Sequence, residues 1–285
     1  MFTLLTIAAV TALAATTGDT VVRLPKGVTI EVSVSARPVI LSSTTNDLVT
    51  VEGARVARRG NRLTVREERN GPAGESPVTI TVPDWATVEM EVVNGSIQLM
   101  NPPAMLHATT IDGPIVSTGG TGRLVLESVA GAVLVRAFRG DRLVATSVSG
   151  AITVEGATGT VRLSSITERI AMRDLHGDSV TAETTNGRID WVGRFRSSGE
   201  YRFASHNGEI TLALPPAPSA LMEGEMFNGT FSTSLPATHE GLTPSRREPR
   251  ELLGHRFIAR FGTGQARVKV TTFNGTIRVV DSSGL

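Results

Sequence analysis

A short phrase recurs along most of the chain. It consists of an apolar residue, a polar residue, a glycine, any residue and an apolar residue that is mostly isoleucine, and its first copy runs from Val93 to Ile97. On each side of the glycine, apolar and polar positions alternate with a period of two, which is typical of half-buried β-strands. Each copy therefore predicts two short strands joined by a corner. The central positions of the nine copies are Gly95, Gly113, Gly131, Gly150, Glu168, Gly187, Gly208, Gly229 and Gly275.

The spacing of the copies predicts how they pack. Successive centres lie 18 to 21 residues apart, except for the last interval of 46. Two residues after each centre the position is always apolar, as at Ile115, Val133 and Ile152. Units of equal length that stack in register pair each strand with its copy in the next turn. The sequence therefore predicts an all-β fold, a parallel β-solenoid of about nine turns of 18–21 residues.

The corner has its own turn chemistry. A sharp change of chain direction favours a positive φ, which glycine adopts freely and asparagine tolerates. Three of the asparagines also lie in glycosylation sequons, but they share one phase of the repeat, so the turn accounts for them without a sugar. The predicted structural corner residues are Asn94, Gly95, Gly113, Gly131, Gly150, Asn186, Gly187, Asn207, Gly208, Asn228, Gly229, Asn274 and Gly275.

A column of small hydroxylated residues lies three positions before the centre. By alternation this column points inward, where stacked hydroxyl groups can form hydrogen bonds along the stack. No histidine recurs at a fixed offset from them, so they are predicted to be structural rather than nucleophilic. The column consists of Thr110, Ser128, Ser147, Ser165, Thr184, Ser205 and Thr272.

The ends of the chain depart from the repeat. Residues 2–15 form an uncharged apolar run with small residues at its end, which predicts a signal peptide over 1–14, although no Lys or Arg precedes the run; a buried N-terminal strand is the alternative. Residues 15–85 contain alternating segments without the regular period and are predicted to form a β-rich N-terminal cap. Residues 86–285 form the repeat domain, with a charged, proline-bearing loop insertion at 236–256.

The chain resembles a family of bacterial β-strand-repeat proteins often labelled "putative adhesin" domain. The residues that carry the resemblance are the run from Val78 to Pro83 leading into Val88–Ile97, the recurring Asn-Gly-x-Ile phrase, and the closing segment from Gly264 to Ile277. The resemblance implies a β-solenoid on an exported or envelope-associated protein and supplies no enzymatic site. The copy at Glu168 departs from the glycine pattern.

Composition narrows the function classes. Lys and Arg total 28 against 27 Asp and Glu, so no charge excess favours nucleic acid or an anionic membrane. There is no cysteine, which excludes disulfides, a lipidated N-terminal cysteine and thiolate metal sites. The five histidines are scattered, and no nucleophile elbow, phosphate-binding loop or metalloprotease motif occurs. We therefore predict no enzymatic activity, no catalytic, cofactor-binding or metal-ligating residue, no cofactor and no membrane span after removal of the signal.

Outward positions suggest one contact surface. Val116 and Leu134 are expected to be neighbours in one outward column, and Val125 and Val144 in another, which we call the predicted contact stripe. We expect an exported, non-catalytic binding or scaffold protein, periplasmic, cell-surface or extracellular, with an envelope protein or surface ligand as partner. Two alternatives stay open: a carbohydrate-active solenoid enzyme, and an envelope regulatory protein that binds a membrane partner through the 236–256 loop.

Overall fold

The computed structural model describes residues 20–67, 76–240 and 255–284. The predicted signal peptide and the greater part of the 236–256 insertion, residues 241–254, lie outside the described residues. Seven strands precede the regular repeat: β1 (Thr20–Arg23), β2 (Thr29–Val34), β3 (Val39–Thr44), β4 (Leu48–Glu52), β5 (Ala54–Arg59), β6 (Arg62–Glu67) and β7 (Val78–Pro83).

The regular repeat then supplies two strands for each copy of the phrase, one before the corner and one after it. These pairs are β8 (Thr87–Asn94) and β9 (Ile97–Met100), β10 (Met105–Asp112) and β11 (Ile115–Thr118), β12 (Arg123–Ser128) and β13 (Val133–Arg136), β14 (Arg142–Ser147) and β15 (Ile152–Glu155), β16 (Thr160–Ser165) and β17 (Ile170–Arg173), β18 (Ser179–Thr184) and β19 (Ile189–Val192), and β20 (Glu200–Asn207) and β21 (Ile210–Leu214).

The last two copies are drawn out into long strands that pass through the corner without a break. The final elements are β22 (Ala220–Thr233), β23 (Thr238–Glu240), β24 (His255–Phe261), β25 (Ala266–Asp281) and a short 3-10 helix (Ser282–Gly284). No helix among these elements is long and apolar enough to cross a membrane.

Equivalent positions of neighbouring copies face each other, as the spacing predicts. Ile115 is paired with Val133, and Val133 with Ile152, in parallel register. The strands before the corners form one ladder and the strands after the corners form another. The expected register of the repeat is therefore confirmed.

The prediction of a parallel β-solenoid is nevertheless wrong as the description of the fold. Strand pairing is mixed: β1–β4, β4–β7, β5–β6, β22–β24 and β23–β24 are antiparallel. Because β22 and β25 run through both ladders, all the described strands belong to one mixed 25-stranded sheet around one hydrophobic core. The physical reason is edge protection, since parallel strands alone leave open edges at both ends and the antiparallel strands pair with them.

The order of the strands also departs from the order of the chain. β25 lies between β20 and β22, so the turn of Gly275 separates the turns of Gly208 and Gly229. At the other end, β2 lies between β6 and β8, and β3 lies between β7 and β9. Each end of the sheet is thus interleaved. The strands assigned to the N-terminal cap pair directly with the first copy of the repeat.

Candidate functional site

The corner glycines are required by close approach of the backbone. A Cβ atom at Gly131 would collide with the carbonyl oxygen of Gly113, and one at Gly150 would collide with the carbonyl oxygen of Gly131. Among the predicted corner glycines only Gly113 has a positive φ, of 142°. The expectation that the corner demands a positive φ is therefore wrong. The same collision with the neighbouring corner occurs at Gly95, Gly187, Gly208, Gly229 and Gly275.

Positive φ values occur instead at the second bend of the first six turns, six residues after the corner centre. Asn101, Gly119, Gly156 and Asp174 occupy this column, and these are residue types that tolerate the left-handed region. Ala137 has a φ of 53° at the same place and is the residue least suited to it. Gly193 completes the column with a φ of 145°.

Most of the inward hydroxyl groups bind the corner backbone rather than one another, whereas the buried Thr110 Oγ1 and Thr272 Oγ1 have no hydrogen-bond partner among the described residues. Gly131 N–H donates to Ser128 Oγ at 2.8 Å, and Gly150 N–H donates to Ser147 Oγ at 2.9 Å. Ser147 Oγ in turn donates to the carbonyl of Gly131 in the neighbouring turn, at 3.2 Å. The predicted burial of the column is confirmed, but its hydrogen bonds run mainly through the main chain of the corners. The buried members are Thr110, Ser128, Ser147, Ser165, Thr184, Ser205 and Thr272.

Four corner asparagines form a ladder of side-chain amides. Asn207 Nδ2 donates to Asn186 Oδ1 at 2.9 Å, and Asn274 Nδ2 donates to Asn207 Oδ1 at 2.8 Å. Asn228 Nδ2 extends the ladder to Asn274 Oδ1 at 3.0 Å. The order of the amides follows the interleaved order of the strands. These asparagines therefore tie the last turns together along the exposed side of the corner.

The predicted contact stripe consists of two separate pairs. Val116 pairs with Leu134 in the ladder after the corner, and Val125 pairs with Val144 in the ladder before it. All four side chains are half-buried. The second pair lies between His107 and Arg162 in its column, so it is bounded by charged or polar groups at both ends.

A longer apolar surface lies two residues before the corner, where the sequence analysis named no site. Neighbouring turns bring these side chains into one column, because each backbone bonds the turn before it, as Ala130 N–H does to the carbonyl of Ile111. Ile111, Val129, Val148, Ile166 and Phe273 are 39–47% exposed. In spatial order the column, which we call the corner stripe, is Val93, Ile111, Val129, Val148, Ile166, Thr185, His206, Phe273 and Phe227.

The corner stripe ends in stacked aromatic rings. The rings of His206 and Phe273 lie 4.8 Å apart with 9° between their planes, and those of Phe273 and Phe227 lie 4.6 Å apart with 4° between their planes. An open concavity of about 470 Å³ beside the stack is lined by residues that include Ile166, Thr185, His206 and Phe273. The rings hold one another in place, so this end of the stripe is a rigid apolar edge.

Carboxylates lie in the two columns beside the corner stripe, and basic side chains outside these columns pair with some of them. In the nine turns from β8 to β22, the outward column two residues before the stripe contains Glu91, Glu127, Glu183 and Glu225, and the column on its other side contains Asp112. Neither column contains Lys or Arg in these turns. Basic side chains outside these columns contact three of the glutamates. Arg202 Nε lies 3.6 Å from Glu183, Arg256 and Lys269 lie 2.7 Å and 4.0 Å from Glu225, and His107 Nε2 lies 3.4 Å from Glu127.

The ladder formed by the strands after the corners carries an ion-pair network. Arg188 Nε contacts Asp190 at 2.7 Å, and Arg169 contacts the other oxygen of the same carboxylate at 2.5 Å. Asp190 is buried, at 5% exposure. Glu209 continues the network to Arg278 at 3.3 Å. Asp190 is shared between arginines of two adjacent turns, and Glu209 is shared between Arg188 and Arg278 on the turns on either side of it, so the network fastens turns to one another.

A buried tyrosine closes the second bend near the aromatic core. Tyr201 packs against Trp191 with ring centroids 5.4 Å apart. Its hydroxyl accepts a hydrogen bond from Arg196 N–H at 2.8 Å and donates to the carbonyl of Gly177 at 3.2 Å. Burial raises the pKa of Tyr201 above its usual value. These contacts give the tyrosine a structural role.

The described residues contain no cluster suited to a metal ion, and the sequence matches no family model. Within the described ranges no group of three or more His, Asp or Glu side chains could hold a metal ion. No family model matches the sequence, and no curated protein matches it.

Three solved structures align with most of this chain at low sequence identity. One, titled a "putative adhesin" from Bacteroides fragilis, is 13% identical with a TM-score of 0.45 and covers 92% of this chain and 95% of its own. A "putative lipid binding protein" from Parabacteroides distasonis is 10% identical with a TM-score of 0.45, covering 93% and 98%. A "putative cell adhesion protein" from Clostridium sporogenes is 10% identical with a TM-score of 0.26, covering 94% and 100%.

Proposed function

We propose that this chain is an exported, non-catalytic binding protein of the cell envelope, adhesin-like in that it presents a rigid repetitive surface to a partner. The observation that carries the proposal is the corner stripe. The column is aliphatic or aromatic on eight of nine consecutive turns, with Thr185 as the exception, and five of its side chains are 39–47% exposed. Contiguous apolar patches of this kind are typical of interaction sites.

The corner stripe has the extent of a binding surface. With neighbouring strands about 4.8 Å apart, nine turns place Val93 and Phe227 about 38 Å from each other. The side chains stand on a framework of hydrogen-bonded strands, and the backbone beneath them is fixed by the hydroxyl and amide contacts of the corners. Such a surface needs no rearrangement before it binds, so little conformational entropy is lost on association.

Export is the second part of the proposal. The uncharged apolar run over residues 2–15 supports it. Fractionation of cells followed by N-terminal sequencing tests this part. We expect a mature chain that begins near Ala15 in the envelope or the medium, whereas a cytoplasmic chain that retains Met1 contradicts export.

Substitutions in the corner stripe test the binding role. Immobilised protein carrying Val129→Asp and Val148→Asp should retain fewer envelope proteins than the wild type, because two charges interrupt the stripe. The matched control carries Arg123→Gln and Arg142→Gln, which lie six residues earlier on the same two turns and change the net charge by the same amount. Equal retention by the wild type and both variants would contradict a binding role for the corner stripe.

A further inference from the structure

We infer that the partner presents a basic amphipathic α-helix, which lies along the corner stripe parallel to the axis of the stacked turns. This inference deepens the proposed function and rests on it. It is carried by two independent features of the stripe, the spacing of its side chains and the sign of the charges on either side.

The spacing of the stripe matches a helix better than an extended chain. Its side chains recur about every 4.8 Å along the stacking direction. An α-helix lying in that direction presents a side chain on one face about every 5.4 Å, whereas an extended strand presents one about every 6.7 Å. The mismatch per contact is about 0.6 Å for the helix and about 1.9 Å for the strand, so a helix stays within half a spacing of the stripe over about four contacts and a strand over about one.

The stripe is one side chain wide, which sets the width of the apolar face that fits it. Side chains two residues away along each strand are polar, as at Thr109, Thr146 and Ser164. A helix with a narrow apolar row, one residue in every turn or so, buries that row against Ile111, Val129 and Val148 and keeps its flanks over polar groups. A helix with a wide apolar face leaves part of it against these polar side chains.

The charge pattern sets the chemistry of the flanks. Glu91, Glu127, Glu183 and Glu225 lie on the first, third, sixth and ninth turns, all on one side of the stripe. Asp112 lies on the other side. Arg202 and Arg256 already pair with Glu183 and Glu225, so among the described residues the carboxylates beside the stripe without an arginine or lysine partner are Glu91, Asp112 and Glu127, on the first three turns. Lysine or arginine on the helix flank can reach these three carboxylates, and acidic flanks face repulsion. The same carboxylates oppose the docking of an anionic lipid surface.

A designed peptide tests the inference directly. The probe is a labelled peptide of about 25 residues, enough to span about 38 Å as a helix, with leucine in one row and lysine on both flanks. Its partner probe has glutamate in place of every lysine. Fluorescence anisotropy with the full chain should show saturable binding of the lysine peptide and at least about tenfold weaker binding of the glutamate peptide.

Variants assign the binding to the stripe and its charges. Val129→Asp should weaken binding of the lysine peptide by about tenfold or more, because a buried apolar contact is lost. Glu127→Lys, on the same turn, should also weaken it and should strengthen binding of the glutamate peptide. The matched control Arg123→Gln lies six residues earlier on the same turn and changes the net charge by the same amount as Val129→Asp, so it should leave binding unchanged. Thermal denaturation should show that all three variants fold.

Three results would overturn the inference. These are equal binding of the two peptides, insensitivity to Val129→Asp in a folded variant, and preferential binding to phosphatidylcholine vesicles without peptide binding. If the peptide fails to bind while the wild type still retains envelope proteins through the stripe, the helix is wrong and the binding role stands. If both are lost, the proposed function fails as well.

Discussion

The corner glycines allow a test that separates close approach from backbone conformation. At Gly150 the backbone has no positive φ, but an added Cβ would collide with the carbonyl of Gly131 and would lie 2.8 Å from Ser147 Oγ. At Gly156 the φ is +65°, and the nearest atoms to an added Cβ lie 3.9 Å away. Asparagine tolerates a positive φ but carries a Cβ. Asparagine at position 150 therefore meets a steric clash, whereas asparagine at position 156 fits both the available space and the backbone conformation.

The expected loss of folding stability follows from the contacts at each glycine. Overpacking a closely packed site costs about 1–3 kcal/mol. Displacing Ser147 Oγ removes the acceptor of the Gly150 N–H, which adds about 1 kcal/mol. Gly150→Asn should therefore destabilise the protein by about 2–4 kcal/mol in total. Gly156→Asn should cost less than about 1 kcal/mol, because its backbone conformation is one that asparagine adopts.

Equilibrium urea denaturation, followed by tryptophan fluorescence, measures both values. Trp191 is buried in the core and reports on the stacked turns, and the chain contains one other tryptophan, Trp85. The two variants are compared at the same protein concentration, with the slope of unfolding free energy against urea checked for equality. Equal stability of Gly150→Asn and Gly156→Asn would refute the argument from close approach.

Three further predictions use the same assay. Ser147→Ala should cost about 1–3 kcal/mol because the Gly150 N–H loses its buried acceptor, whereas Ser164→Ala, at a half-exposed outward position, should change stability by less than about 0.5 kcal/mol; equal effects would contradict the role of the inward hydroxyl. Ala137→Gly should stabilise by up to about 1 kcal/mol because it relieves a positive φ, and Ala145→Gly, in a buried strand, should destabilise by about 1 kcal/mol; effects of the same sign would contradict this. The raised pKa of Tyr201 means that its neutral form is favoured in the folded state, so its contribution is complete below the usual tyrosine pKa of about 10 and is lost as the pH rises through the folded value; the stability difference between the wild type and Tyr201→Phe should shrink from pH 8 to pH 11, and a constant difference would count against it.

The repeat itself could be predicted because its signal is local. Burial on one face of a strand produces an alternation of apolar and polar residues in the sequence. This alternation identifies the inward serines and the apolar column of Ile115, Val133 and Ile152. Two-residue periodicity thus determines which side chains face the core. It also determines that equivalent residues lie side by side once the turns stack.

The order of the turns could not be predicted from the same signal. The copies at Gly208, Gly229 and Gly275 have equivalent patterns, so nothing local specifies that β25 lies between β20 and β22. The interleaving depends on long-range pairing of β24 with the outer edge of β22. The alternation of apolar and polar residues in a strand does not specify which of several similar strands pairs with it.

The corner stripe could have been recognised from the sequence. The first residue of the repeated phrase is apolar in Val93, Ile111, Val129, Val148 and Ile166. It follows the inward hydroxyl column by one residue, so alternation alone places it outward. An apolar residue that recurs at an outward position is the signal of a surface site. The reason for glycine at the corner, by contrast, lies in the neighbouring turn and requires three-dimensional contacts.

A pair of engineered disulfides tests the continuity of the corner stripe most directly. The chain has no native cysteine, so any intramolecular disulfide that forms must join the two introduced cysteines. Phe273 lies one turn from His206, at about 4.8 Å between strands, which is within the range a disulfide spans, and Phe227 lies two turns away, at about 9.6 Å. Under mild oxidation, His206→Cys with Phe273→Cys should form an intramolecular disulfide and His206→Cys with Phe227→Cys should not. The reverse result would contradict the interleaved stack on which the stripe depends.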